Sequence, residues 1–304
     1  MGAAALLGAA LALVAPPAGA VQVDVGDGLT LEVAPFANYC AMDESQPAEA
    51  NLIRTMTEAV GQSMRVALAF GDCQELVELR QGQRRLLNSF GQILLVANGG
   101  QISRLADSRP EFLAKVVRPF PSATLDEIAA NGEAQWKASR PADVPKPVFA
   151  VIGKDELAVY VGTTSIQGQG DTRTMVAGVA GISLLHQIHM NINLFSAYDG
   201  TAAEGAKVLE DLRGQMAAGI ADIHFINDDV AMPAPLPVPS KTEWKAMGST
   251  ALVGAVVGGA LGGLGALALV LLRRRKRKPA AAPNPAPAAT TADTEASGPT
   301  EAGS

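Results

Sequence analysis

Aromatic side chains, cysteines and histidines are scarce in this chain of 304 residues. Aromatic residues make up 4% of the sequence, although 48% of the residues are hydrophobic, so the apolar character comes from small and aliphatic side chains. That hydrophobic content excludes a chain that is disordered throughout. With two cysteines and three histidines, the sequence offers few residues for a metal centre or a nucleophilic active site.

Motifs that would indicate a particular reaction are also missing. The patterns Gly-x-Ser-x-Gly, Ser-x-x-Lys and His-Glu-x-x-His do not occur. We therefore predict no catalytic residue, no metal ligand and no cofactor. An envelope enzyme of hydrolase type, with a site assembled from residues distant in sequence, remains the alternative to a binding protein.

The amino terminus lacks Lys and Arg but is strongly apolar. Residues 1–20 end in the small-residue triplet Ala18-Gly19-Ala20, which favours a signal peptide cleaved after Ala20. The absence of a basic residue near Met1 departs from the usual pattern. The alternative is an uncleaved anchor, but the apolar run is short for a hydrocarbon core of about 30 Å.

A second apolar segment, residues 249–272, contains no charged residue. As a helix rising 1.5 Å per residue it would extend about 36 Å, enough to span a bilayer with some tilt. Six consecutive basic residues follow at 273–278, and such a cluster favours the cytoplasmic side. The sequence therefore predicts one transmembrane helix with a cytoplasmic C-terminus; the alternative is a buried helix of a large globular core.

Two contacts are predicted for this membrane segment. Small residues recur at steps of four, which would let a partner helix approach closely and favours a homodimer; chance enrichment in Gly and Ala is an equal alternative. The residues of this stripe are Gly254, Gly258, Gly262 and Ala266. The basic cluster is expected to contact anionic lipid headgroups. Its residues are Arg273, Arg274, Arg275, Lys276, Arg277 and Lys278.

The charge of the predicted external part is acidic. Removing the basic cluster and the tail acids Asp293, Glu295 and Glu301 leaves 18 basic and 27 acidic residues in 21–248, a net charge of −9. An acidic surface repels phosphate backbones, so nucleic acid is not an expected partner. The expected partners are the lipid bilayer, a second copy of the chain and an envelope protein of unknown identity.

Cys40 and Cys73 both fall in this external part. An even pair in an oxidising compartment is interpreted first as a disulfide, and no Cys-x-x-Cys spacing is present. Closing a loop of about 34 residues would stabilise the fold by roughly 3 to 4 kcal/mol. A metal or redox pair is the alternative.

Periodicity predicts an α+β fold with a mostly antiparallel sheet and packed helices. Alternation on both sides of Gly26-Asp27-Gly28 indicates a hairpin over 21–33. Further strands are predicted at 64–70, 90–97, 148–152, 157–163 and 188–198. Helices are predicted at 47–60, 108–117, 124–139 and about 201–223, and one more begins at residue 73. In strand and helix order the domain resembles small exported modules of the PsbP type, and no residue roles are transferred from that resemblance.

The predicted organisation has five segments. They are a signal peptide at 1–20, a single exported domain at 21–228, a proline-rich stalk at 229–248, the transmembrane helix at 249–272, and a basic block with a disordered tail at 273–304.

The histidines and two polar segments are interpreted conservatively. On a strand, His186 and His189 would point to opposite faces, so we expect a partly buried His186 and a solvated His189 instead of a metal site. The polar face of the 188–198 strand is expected to be wet. His224 is interpreted as a cation near a helix C-terminus. The Gly168, Gly170, Asp171, Arg173 segment is expected to be a plain connection, and Asp155 and Glu156 to be solvated.

The functional expectation follows from this architecture. We expect a single-pass type I protein of the bacterial inner membrane, with most of the chain in the periplasm or outside. It would act through protein interaction. Besides the envelope enzyme, a small single-pass signalling or sensor protein is the remaining alternative.

Overall fold

The computed structural model describes residues 20–140, 147–168 and 173–230. Its strands and helices follow in the order β1 Val21–Gly26, β2 Leu29–Val33, β3 Tyr39–Ala41, α1 Pro47–Val60, β4 Met64–Asp72, α2 Cys73–Arg80, β5 Ser89–Asn98, β6 Gln101–Ile102, α3 Arg109–Val117, α4 Leu125–Ala138, β7 Val148–Lys154, β8 Ala158–Gln167, β9 Thr174–Leu185, β10 Ile188–Tyr198 and α5 Ala202–Ile226.

Seven strands form the path of the main sheet, in the order β3-β4-β5-β10-β9-β8-β7, and β6 pairs with β5 at one end. The β1–β2 hairpin is a separate two-stranded sheet. All the named strand pairs among the described residues are antiparallel. The predicted α+β class with a mostly antiparallel sheet and packed helices is confirmed.

Turn chemistry accounts for the first hairpin. Gly26, Asp27 and Gly28 all have positive φ, at 90°, 53° and 73°, a conformation that glycine and aspartate tolerate better than most residues. The predicted hairpin over 21–33 is therefore confirmed. Two further hairpins join β7 to β8 and β9 to β10. In the second of these the two turn residues, His186 and Gln187, have φ of 48° and 65° without any glycine.

Helix N-termini also follow the sequence signals. The Asp72 side chain caps α2 by accepting hydrogen bonds of 3.0 Å from the backbone N–H groups of Gln74 and Glu75. Thr124 and Glu127 form a capping box at the start of α4. Both caps satisfy backbone donors that the first helical turn leaves without partners.

One side of the main sheet, here called the α5 face, is covered by α4, α5 and the β1–β2 hairpin. Alternate residues of β10 point to it, namely Met190, Ile192 and Leu194. They pack with the apolar stripe of α5, which consists of Leu209, Leu212, Met216, Ile220 and Ile223. This face carries the largest apolar cluster of the described fold.

The opposite side, here called the α3 face, is covered by two groups of helices. Helices α1 and α2 pack around Phe90 and Phe195 on β5 and β10. Helix α3 packs through Phe112, Leu113 and Val116 on β8 and β9. These form two separate apolar clusters on one face, and polar side chains of the sheet lie on the same face.

Within the described residues, no helix is both long and apolar enough to cross a membrane. The predicted membrane segment at 249–272 lies outside them, as do residues 1–19 of the predicted signal peptide.

Candidate functional site

Cys40 and Cys73 lie at disulfide distance, with sulfur atoms 2.05 Å apart and Cα atoms 4.9 Å apart. Cys40 is in the short edge strand β3, and Cys73 opens helix α2. The pair therefore connects the edge of the sheet to the first turn of α2. Cys40 belongs to a strand because residues 39–41 pair with the end of β4.

The predicted membrane contacts lie outside the described residues. This applies to the small-residue stripe Gly254, Gly258, Gly262 and Ala266 and to the basic cluster Arg273, Arg274, Arg275, Lys276, Arg277 and Lys278.

A strip of uncharged polar side chains occupies the α3 face, which we call the polar strip. Strand alternation and pairing place its residues together on this face. It comprises Gln92 of β5, Thr163, Ser165 and Gln167 of β8, and His189, Asn191 and Asn193 of β10. Asn193 is paired in register with Gln92, so their side chains are direct cross-strand neighbours.

The strip is buried apart from the half-buried Ser165, although every residue in it has hydrogen-bonding groups. Asn191 and Asn193 are 0% exposed, His189 is 2% exposed and Thr163 is 3% exposed. Both amide atoms of Asn193, Nε2 of His189 and Oγ1 of Thr163 have no hydrogen-bond partner among the described residues. The amide atoms of Gln167 and Oγ of Ser165 also lack a hydrogen-bond partner among the described residues. An unpaired buried polar group costs roughly 1 to 3 kcal/mol, so these groups require partners that the described fold does not supply.

The expectation that this face of β10 is wet was wrong. Its period of two was correct, but α1, α2 and α3 pack on the same side of the sheet. His189, expected to be solvated, lies with its ring 4.9 Å from the ring of Phe112 in an edge-to-face contact. Burial lowers the pKa of His189 to about 4, so the imidazole is neutral at pH 7.

A second polar arrangement lies at the end of α5. His224 Nε2 is 2.8 Å from Ser183 Oγ, and the Arg109 guanidinium lies 3.2 Å from His224 Nδ1. The Ser183 hydroxyl donates to the Leu157 carbonyl at 2.6 Å. Because arginine only donates, Nδ1 of His224 must accept, and Nε2 then carries the proton and donates to Ser183.

The hydrogen bond of this serine–histidine pair runs in the opposite direction to that of an activated serine nucleophile. A nucleophilic serine gives its proton to the histidine, and a carboxylate commonly orients the other ring nitrogen. Here the histidine donates to the serine, and an arginine occupies the position of the carboxylate. Ser183 is 0% exposed. The chain of donors from Arg109 through His224 and Ser183 to Leu157 joins α3, α5 and the sheet.

The interpretation of His224 as a cation was wrong. Burial, followed by the neighbouring charge of Arg109 and the proximity of His186, lowers the pKa of His224 to about 4. A positive charge there would be buried and would face the guanidinium, and both effects oppose the attraction of the helix C-terminus.

His186 and His189 do not form a site together. His186 lies in the β9–β10 turn, not on a strand, and its Nε2 is 2.7 Å from the Asn227 carbonyl oxygen. His186 is partly buried, as predicted. Across the part of the chain that the structure covers, no three His, Cys, Asp or Glu side chains are grouped in a way that could hold a metal ion.

The remaining polar residues have local roles. Asp155 and Glu156 are exposed, as predicted, and the Asp155 carboxylate accepts hydrogen bonds from the Tyr160 hydroxyl and from the backbone of the β7–β8 turn. Arg173 stacks over the Trp136 ring, with its Cζ 4.6 Å from the ring centroid. Of the predicted connection, Gly170 and Asp171 lie outside the described residues.

Sequence reasoning missed most of the polar strip. Asn191 and Asn193 were visible as polar residues at every second position of an apolar strand. Gln92 and Thr163, in contrast, are isolated polar residues in apolar runs, and only the pairing of β5 and β8 with their neighbours reveals that they share the face.

A comparison of the chain with known protein families gives no match, and no curated protein matches it in sequence.

Proposed function

We propose that this protein is an exported domain, tethered by one membrane span, that acts by binding another protein. The observation that supports binding best is that Asn193, His189 and Thr163 of the polar strip bury donors or acceptors without partners among the described residues. Such groups are retained at a cost in stability, which is expected where a site serves an interaction. The enzyme alternative has less support, because the serine–histidine pair has the wrong polarity for nucleophilic attack.

The proposed location rests on three features of the sequence and one of the structure. The sequence supplies the apolar leader at 1–20, the uncharged segment at 249–272 and the basic cluster at 273–278. The structure adds Cys40 and Cys73 at disulfide distance, a pairing that persists in oxidising compartments. The proposed arrangement is a periplasmic or external domain on the bacterial inner membrane with a cytoplasmic C-terminus.

Reporter fusions test this topology. Alkaline phosphatase requires an oxidising compartment, so a fusion after Val230 is expected to be active and a fusion after Ser304 inactive. β-Galactosidase fusions at the same two positions provide the reciprocal control. Activity of the phosphatase only at Ser304 would contradict the proposal.

The proposed homodimer is tested separately by crosslinking in membranes. Gly258→Ile and Gly262→Ile place bulky side chains in the small-residue stripe, so the dimer yield is expected to fall. Val256→Ile, outside the stripe, is the matched control. An unchanged yield for both glycine variants would remove the dimer from the proposal and leave the topology unaffected.

A further inference from the structure

Helix α3 is held to the sheet by a small set of contacts of its own. Phe112, Leu113 and Val116 pack on β8 and β9 in an apolar cluster that is separate from the cluster of α1 and α2. The helix has nine residues, and a helix of that length depends on tertiary packing for its stability. Helix α3 can therefore open as a unit while α1 and α2 stay in place.

One contact of α3 requires a neutral histidine. Arg109 links α3 on one face of the sheet to α5 on the other. Its Nε donates to the Leu184 carbonyl at 3.0 Å, and its guanidinium donates to Nδ1 of His224 at 3.2 Å. The second bond exists only while Nδ1 carries no proton, because a protonated Nδ1 would turn a donor towards the guanidinium. Acid therefore replaces this hydrogen bond by a repulsion between two cations.

The groups that face His224 come from four elements. Burial first, then Arg109 of α3 and His186 of the β9–β10 turn, lower the pKa of His224 to about 4, and Asp155 of the β7–β8 turn opposes them. Strand β9 contributes the uncharged hydroxyl of Ser183, at 2.8 Å. Two of the three charged or titratable neighbours therefore disfavour the protonated ring, in agreement with the hydrogen bond from Arg109.

A second contact of α3 has the same requirement. The Phe112 ring lies edge-to-face with the His189 ring, with the centroids 4.9 Å apart, and His189 is 2% exposed. Burial lowers the pKa of His189 to about 4. A charged imidazole beneath Phe112 would be desolvated, so protonation favours states in which α3 has moved away and water reaches the ring.

The charged side chains of α3 itself do not supply the same link near pH 5. Glu111 closes the capping box, and hydrogen bonds from Ser108 lower its pKa below the ordinary value of 4.5, so it remains mostly charged at pH 5. Lys115 forms an ion pair of 2.7 Å with Asp107, which precedes the helix. Between pH 7 and pH 5, the contacts that couple protonation to the position of α3 are those of His189 and His224.

From these contacts we infer that α3 is an acid-released helix: protonation of His189 and His224 detaches it from the sheet and uncovers the apolar surface beneath it. The inference goes beyond the proposed binding function and does not depend on the membrane topology. The residues of β8 and β9 that are uncovered are Val159, Val161, Ala180, Ile182 and Leu184.

Hydrogen exchange measured by mass spectrometry on the full-length chain in detergent tests this inference. Exchange is compared at pH 7 and pH 5, with each rate corrected for the intrinsic pH dependence of amide exchange. A histidine that regains its ordinary pKa of 6.5 on opening raises the open population about 20-fold over this interval, and two histidines raise it up to about 400-fold. We expect the protection of the α3 amides to fall at least 20-fold and, at pH 5, to lie at least tenfold below that of β5 and β10.

Variants assign the effect to the two histidines. Glutamine does not titrate, so the double variant His189→Gln, His224→Gln is expected to limit the fall in α3 protection to less than about threefold. Each single variant is expected to lose part of the fall, which keeps the test available if the double variant does not fold. His186→Gln is the matched control and is expected to retain most of the fall, because His186 bonds to Asn227 and not to α3.

Two results would overturn the inference. One is equal protection of α3 and of the central strands at pH 5, which would mean that α3 opens only when the whole domain unfolds. The other is a double glutamine variant with the same fall as the native chain, which would mean that other groups take up the protons.

Discussion

The two faces of strand β10 are equally buried and chemically opposite. Towards α5, Met190, Ile192 and Leu194 are all 0% exposed and pack in the main apolar cluster. Towards α3, Asn193 is also 0% exposed, yet both polar atoms of its amide lack a partner among the described residues. Burying an apolar side chain contributes roughly 1.5 to 3 kcal/mol, whereas an unpaired buried polar group costs about 1 to 3 kcal/mol. Burial alone therefore does not separate residues that serve the fold from residues kept for another reason; hydrogen-bond pairing does.

The largest change in the free energy of unfolding is expected when a polar side chain of the kind found on the α3 face is introduced into the α5 face. Ile192→Asn removes a buried apolar side chain and introduces an unpaired amide into the α5 face. We expect the free energy of unfolding to fall by about 4 kcal/mol or more. Urea unfolding of the full-length chain measures it, with Ile192→Val, expected to cost about 1 kcal/mol, as the control. A loss below about 1.5 kcal/mol for the asparagine variant would show that this face also tolerates polar groups.

Acid is expected to destabilise the α3 face through His189. Its pKa is lowered from 6.5 in the unfolded chain to about 4 in the fold, so the unfolded state binds more protons between these values. Stability is therefore complete above pH 6.5 and falls as the pH decreases towards 4, by about 3 kcal/mol for this group. Comparing unfolding of the native chain and His189→Leu at pH 7 and pH 4.5 isolates the effect. Equal acid sensitivity in both proteins would mean that His189 is not buried in its neutral form.

A smaller effect is expected from two glycines of α5 that differ in their surroundings. A Cβ atom at Gly219 would lie 2.2 Å from the Phe36 ring, whereas a Cβ at Gly214 would meet nothing within 4 Å. Gly219→Ala is expected to cost about 1 to 3 kcal/mol through overpacking. Gly214→Ala is expected to add up to about 1 kcal/mol, because alanine favours the helix. Similar changes for the two variants would contradict the close packing of α5 on its face.

The same contrast explains what could be predicted from the sequence. The period of two in β10 identified the strand, and the Gly26-Asp27-Gly28 turn identified the first hairpin. Both signals are local. Whether the second face of β10 is wet or covered depends on α3, which begins about 80 residues earlier in the chain. No local pattern carries that information.

Strand β9 was not predicted from the sequence, and the reason is related. All of its residues except Thr174 are buried, since α5 covers one side and α3 the other, so the strand lacks the alternation of a half-exposed strand. Its turn to β10 also lacks glycine and asparagine, and the positive φ values of His186 and Gln187 carry no recognisable turn signal.

The candidate site was predicted least well. The contacts of Arg109 with His224 and of His224 with Ser183 join residues 115 and 41 positions apart, so no local sequence pattern indicates that they meet. The cysteine pair, in contrast, was predictable, because two cysteines allow only one intramolecular pairing.

The free energy of unfolding of Asn193→Leu tests the central claim most directly, because it asks whether a buried amide of the polar strip serves the fold. Leucine has nearly the same shape and requires no hydrogen bonds. We predict that the variant is more stable than the native chain by about 1 kcal/mol, with a melting temperature raised by roughly 2 to 4 °C. A loss of 1 kcal/mol or more would contradict the account, because it would show that the fold itself depends on the amide of Asn193.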